Sequence, residues 1–251
     1  MKFLSLPVVL ALTVGVMVPF VARAEDQPPM ISEAAQSAVV AMGKSLEARE
    51  FSFKDRTIRE YMDRGGQPLH IFHHATIVVR RPDHLAVVLR GDDGTTRIAY
   101  DGESLTIYGA NLNKYATIPV SGDIGTMLKV AIDRLGVDFP LADFLATSPD
   151  KAFLTGVTSG YEVGTVPIDG VPCRHLFFIQ PPGIELELWV EKNAAAVPRR
   201  LIVTYRSLPG EPRFIAEMWG WNMSARPTDA AFELHVPAGA TKIELPPEKK
   251  P

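Results

Sequence analysis

The sequence predicts an α+β fold: one antiparallel, strongly curved half-barrel sheet of about 11 strands, with helices covering its concave face. Three observations lead there. Short runs of alternating apolar and polar residues recur, and Asp-Gly pairs separate several of them, the strongest local signal for antiparallel hairpins. Helical periodicity is confined to a few segments and does not alternate with strands in βαβ fashion. A sheet of that many strands does not lie flat, so it curls or closes and leaves an apolar interior under its helices.

The chain reads in order from its leader. Met1-Lys2, the apolar run Phe3–Val21 and the small residues of Ala22-Arg23-Ala24 have the layout of a secretory signal peptide cut after Ala24. Position +1 is Glu25 rather than Cys, so no lipid is attached at that junction. Residues 25–245 are expected to form a single domain and 246–251 a disordered, Pro-rich tail. Ser32 is placed to N-cap a helix starting at Glu33, whose apolar face is Ala35, Val39, Met42 and Leu46. Phe51–Met62 alternates with charge on both faces, which suits a long strand at a sheet edge or a solvated surface. Asp63-Arg64-Gly65-Gly66 turns the chain into Leu69–Arg81, ended by Pro82.

His84–Arg90, Thr95–Tyr100, Ser104–Tyr108 and Tyr115–Val120 are short strands joined by turns at Asp92-Asp93-Gly94 and Asp101-Gly102. Ser121-Gly122-Asp123 opens a helix over Ile124–Leu135, stopped at Gly136, and a second short helix covers Leu141–Ala146. The second half is a meander: Gly160–Pro167, Val171–Gln180 after the Asp169-Gly170 turn, Ile184–Lys192, Arg199–Arg206 and Arg213–Asn222. Phe232–Pro237 reads as a last short strand.

Composition narrows the function. A formal charge of −3 falls to about −5 once Lys2 and Arg23 leave with the leader, and no basic tract is present, which argues against nucleic acid as a partner. No stretch after the leader is long and apolar enough to span a membrane, so the mature chain is expected to be exported, periplasmic and without a transmembrane segment. Cys173 is the sole cysteine and reads as a small buried hydrophobe. His175 two residues away on one strand lies roughly 6–7 Å off, a poor base for it.

Candidate chemistry is sparse. His70 and His74 share a strand face about 13 Å apart while His73 points the other way, so one strand does not make them a metal site. Asp101 and Asp169 each precede Gly in a turn, and turn chemistry explains them. No nucleophile elbow, phosphate loop or dinucleotide fingerprint is present. We therefore expect no cofactor, no metal and no catalysis. Leu85, Val87, Leu89, Ile98, Ile107, Phe177 and Leu188, with Trp189, Trp219 and Trp221, are the candidates for lining a ligand cavity or, equally, a filled core.

Several segments resemble the periplasmic carrier superfamily of the lipoprotein-sorting proteins LolA and LolB. They are Arg80-Arg81-Pro82-Asp83-His84-Leu85 opening a strand, Tyr100-Asp101-Gly102-Glu103-Ser104-Leu105 with Tyr108, the turn Ile168-Asp169-Gly170-Val171-Pro172-Cys173, and Phe232 with Val236-Pro237-Ala238-Gly239-Ala240. Pro140–Leu145 and the pair Trp219-Trp221 are similar to an uncharacterised branch of predicted periplasmic proteins, a domain of unknown function. The resemblance implies an eleven-stranded half-barrel with a helical lid around a hydrophobic cavity, no metal and no catalysis. It also implies a hydrophobic ligand, such as a lipid or a lipoprotein acyl chain. Two alternatives stand beside that reading: an envelope protein-interaction or stress-sensing module on the same scaffold, and an unrecognised hydrolase.

Overall fold

The computed structural model describes residues 30–135 and 139–244. The expected signal peptide and the tail beyond 245 lie outside the described residues. The fold class is as expected: a large, curved, unclosed and almost wholly antiparallel sheet with a few helices. Among the described residues it has 12 strands rather than about 11.

The strands are β1 (Glu50–Met62), β2 (Pro68–Arg80), β3 (His84–Gly91), β4 (Gly94–Tyr100), β5 (Ser104–Gly109), β6 (Lys114–Pro119), β7 (Ser159–Ile168), β8 (Val171–Gln180), β9 (Ile184–Glu191), β10 (Pro198–Tyr205), β11 (Arg213–Asn222) and β12 (Thr241–Lys242). The order across the sheet is β12-β6-β5-β4-β3-β2-β1-β11-β10-β9-β8-β7. β1 is therefore central, paired with β2 and β11, and not the edge strand that its charge suggested. Phe51 and Phe53 bury its concave side, while Lys54 and Arg56 stay in water on the convex side. Charge on one face of a central strand costs little where that face is solvated.

Both edges are blunted. At one, the two-residue β12 pairs in parallel with β6. At the other, Ile31 bridges Gly160 on β7, and Ser32 donates its N–H to the Gly160 carbonyl at 2.8 Å. Such cover over part of an edge limits strand addition. The strand expected over Phe232–Pro237 does not form. Asp229–Phe232 is a single 3-10 turn, and the extended pairing falls further on at Thr241–Lys242. Phe232 is buried on the convex side, edge-on to His84 and beneath the Arg80 guanidinium, so packing rather than ladder bonding fixes this segment.

Four helices cover the concave face: α1 (Glu33–Leu46), α2 (Ile124–Leu135), α3 (Ala142–Leu145) and α4 (Pro149–Leu154). The Ser32 hydroxyl accepts the Ala35 N–H, and Ala35, Val39, Met42 and Leu46 are buried against β7–β9. Asp123 caps α2 by accepting from the Thr126 N–H at 2.8 Å, and its other oxygen accepts from the Thr147 hydroxyl after α3. α4 packs on α1 so closely that a Cβ at Gly43 would meet the Asp150 backbone at 2.8 Å.

One side chain ties lid to sheet. Arg81, between β2 and β3, donates to the Leu46 carbonyl at the end of α1 and to the Leu145 and Phe144 carbonyls at the end of α3, at 3.1, 2.8 and 3.2 Å. Its guanidinium also lies over the Phe51 ring. Burial pulls its pKa below the ordinary arginine value, with Glu47 and Asp123 opposing. Arg81→Met keeps the stem but leaves three helix-end carbonyls unpaired, so urea unfolding is expected to show a loss of about 2–4 kcal/mol. Arg81→Lys recovers part of it, having no planar fork.

Candidate functional site

Alternation along the paired strands sends every second side chain into the concavity. Registers align them in rows that run across strands. The first row, Phe51, Val79, Leu85, Tyr100, Leu105 and Ile118, is fully packed. In the second row Phe53 and Ile77 are buried, but Val87, Ile98 and Ile107, adjacent on β3, β4 and β5, are only half covered. Leu89 beside them is half-buried too. On the other half of the sheet, under α1, Leu176, Leu188, Leu201 and Ala216 are packed to near-zero exposure. The concave face is thus a filled core on one side and, along β3–β5, a strip of partly covered aliphatic side chains, here called the trough, on the other.

The sequence-derived candidates divide accordingly. Val87, Leu89, Ile98 and Ile107 come together in the trough. Leu85 and Leu188 are filled core. Trp221 closes one end, its ring stacked on Phe53 at 4.2 Å and its Nε1 donating to the Pro198 carbonyl. The other three are on the convex face. Phe177 packs on Tyr161, Trp189 stacks on His175 at 4.0 Å, and Trp219 pairs with Lys54 and is 37 % exposed. Trp219 and Trp221, two apart, were expected to share a face. Gly220, at φ 63°, and a register shift between Ser52 and Lys54 on β1 rotate them to opposite sides.

Sequence reading missed Asp55. It lies on the concave side of β1 next to Thr57, 4 % exposed, and accepts the Ala75 N–H at 3.0 Å. Burial pushes its carboxyl up to about 6, against the pull of that N–H and of His73. The only sequence signal was an Asp in phase with Phe51 and Phe53.

The other titratable candidates are accounted for by local bonds. His73 pairs with Asp93 at 2.8 Å, and His70 lies 3.4 Å from Glu60. His175 pairs with Glu187 rather than with Cys173, whose thiol donates to the Val171 carbonyl and is pushed up by burial. Asp101 accepts the Glu103 and Ser104 N–H groups of its own turn, and Asp169 holds φ 49° in its hairpin turn. Among the described residues no three His, Cys, Asp or Glu side chains are placed to hold a metal ion, and no helix is long and apolar enough to cross a membrane.

Two clefts open elsewhere on the surface. One of about 440 Å³ is lined by Ala48, Arg49, Glu50, Met223 and Arg226. The other, about 210 Å³ and on the convex face, lies between β3–β4 and residues 231–235, with Arg90, Arg97, Glu233 and His235 in its wall.

Residues 35–246 match a family described as "Predicted periplasmic protein (DUF2092)". No curated protein matches the sequence. Among solved structures, the chain is similar to an uncharacterised conserved protein from Thermus thermophilus, with 11 % identity, 84 % of this chain and 99 % of that one covered, and a TM-score of 0.49. It is similar to the lipoprotein LppX of Mycobacterium tuberculosis at 16 % identity, covering 78 % and 99 %, also at 0.49. It is similar to a LolA superfamily protein from Nitrosomonas europaea at 11 % identity, covering 80 % and 97 %, at 0.38.

Asp55 gives a pH signature. Its folded carboxyl titrates near 6 and its unfolded one near 3.8, so the folded state binds the extra proton between those values. Its contribution to stability is fully present below 3.8 and is lost as pH rises through 6. Asp55→Asn retains a carbonyl acceptor for Ala75 and is expected to gain on the order of 2–3 kcal/mol at pH 8, with little change at pH 3.5. Thermal unfolding of both proteins across that range checks it.

Proposed function

The chain belongs to the DUF2092 family of predicted periplasmic proteins, and on that premise we propose that it is an exported, non-catalytic carrier. Its trough would hold a lipid, an acyl chain or a lipoprotein's acyl part. The observation that supports this most is the half-covered aliphatic row of Val87, Ile98 and Ile107, in register on three neighbouring strands, with Leu89 beside it on β3 and a packed apolar core continuous with it. An acyl chain laid on that surface gains about 0.8 kcal/mol per buried CH₂, so a chain of ordinary length binds without specific polar contacts.

A second reading, an envelope protein-interaction module, draws on the edge strand. β7 exposes Tyr161, Val163 and Val166, with Ile179 exposed on β8. An extended segment of another protein could add to the uncovered part of that edge.

Native mass spectrometry of the mature protein, purified from periplasm without detergent, separates the readings. A carrier shows a mass excess released as lipid on denaturation, and Ile98→Asp, at a half-buried position, loses it while staying folded. A bare polypeptide mass that also ignores added phospholipid and acyl probes sinks the carrier reading.

A further inference from the structure

We propose that the convex crest of the sheet is a docking surface for anionic lipid bilayers, independent of what the trough holds. Registers bring the relevant residues together. Lys54 and Arg56 on β1 sit beside His74 on β2, Arg90 on β3, Arg97 on β4 and Arg200 on β10. Lys54, Arg56, His74, Arg90 and Arg97 are exposed. Three acids share the face, one of them Glu187 on β9, which is diagonal to Arg200 and paired with His175. Glu217 lies between Arg56 and Arg200 and accepts from both, and Glu233 shares the cleft of Arg90 and Arg97. Partial burial pushes Glu217 up, but the two arginines outweigh it and hold it below the ordinary carboxylate value. Five permanent cations against three carboxylates leave a positive field on a chain whose formal net charge is −3.

Shape and chemistry favour a lipid plane. β1 and β2 occupy the middle of the strand order, so Lys54, Arg56 and His74 sit on the crest of the curve, where a convex body touches a flat surface, with Arg90 and Arg97 beside it at the cleft against residues 231–235. From β10 to β4 the patch spans about 24 Å, five strand spacings. Trp219 stands in its midst, paired with Lys54 and 37 % exposed. An indole with one wet edge suits the headgroup layer, and Lys and Arg nearby supply the attraction to anionic lipid.

The test is co-sedimentation of the mature protein with vesicles of about 30 % phosphatidylglycerol in phosphatidylcholine, against phosphatidylcholine alone. Binding to the anionic vesicles only, abolished by about 0.5 M NaCl, is expected. Lys54→Glu/Arg90→Glu/Arg97→Glu should weaken it by about 100-fold or more. A control with the same charge change on the helical side, Lys44→Glu/Lys129→Glu/Lys151→Glu, should bind within a few-fold of the parent; circular dichroism checks that both variants fold. Equal binding to neutral vesicles, equal loss in the control, or no binding at all overturns the proposal. Capture of poly-glutamate by the parent but not by the Lys54/Arg90/Arg97 variant, without vesicle binding, would reassign the face to an acidic polypeptide.

Discussion

One half-buried cation gathers the ends of two lid helices onto a corner of the sheet. Helices end in carbonyls that the helix itself does not satisfy, and two of them, α1 and α3, converge on the turn between β2 and β3. Arg81 reaches from that turn, and its fork is matched to three carbonyls at once. α2 is fixed to the same corner: Ile124 donates its N–H to the Pro82 carbonyl, and the Tyr100 hydroxyl donates to the Gly122 carbonyl. The concavity is shaped by this corner, because the angle at which each helix leaves it decides which strands are roofed.

That corner leaves the sheet with unequal halves. Under α1 the interior over β8 and β9 is packed with almost no exposure, and the aromatic contacts of Phe144, Phe153 and Phe178 extend that packing into the lid. Along β3–β5 the aliphatic residues next to the same core remain half covered. Asp55 sits near the boundary between the halves, a carboxyl among hydrophobes whose burial has to be offset by the rest of the fold. An apolar residue of like size would pack there at no such cost, so packing alone does not explain the choice.

The architecture was largely legible because its signals are local. Asp-Gly turns, period-2 runs and the Ser32 and Asp123 caps fixed most elements near their observed ends. The faces were less legible, for three reasons. Alternation puts Leu188 and Trp189 on opposite sides of β9 but does not say which side is roofed, so Phe177 and Trp189 stood as cavity candidates beside Leu188 although they lie on the convex face. A bulge breaks the period, as Gly220 does between Trp219 and Trp221. Strand position is a tertiary property: β1 reads as an edge because Lys54 and Arg56 are charged, yet only long-range pairing with β11 places it in the centre. α4 escaped notice because six residues opening on Pro149 give too short a periodic signal.

The two surfaces of this sheet share the same strands, and parity separates them. On β1, Phe53 and Asp55 belong to the concavity while Lys54 and Arg56 belong to the crest; on β3, Val87 and Leu89 alternate with Val88 and Arg90. A substitution at an odd position of β1 alters packing or trough without touching the convex charge, and one at an even position does the reverse. Curvature then sets how the two relate in space. A body resting on its crest holds its concave side away from the surface beneath it, so contact at Lys54 and Arg56 leaves the side of Val87, Ile98 and Ile107 uncovered. The proposed bilayer contact and the proposed ligand would therefore not obstruct one another.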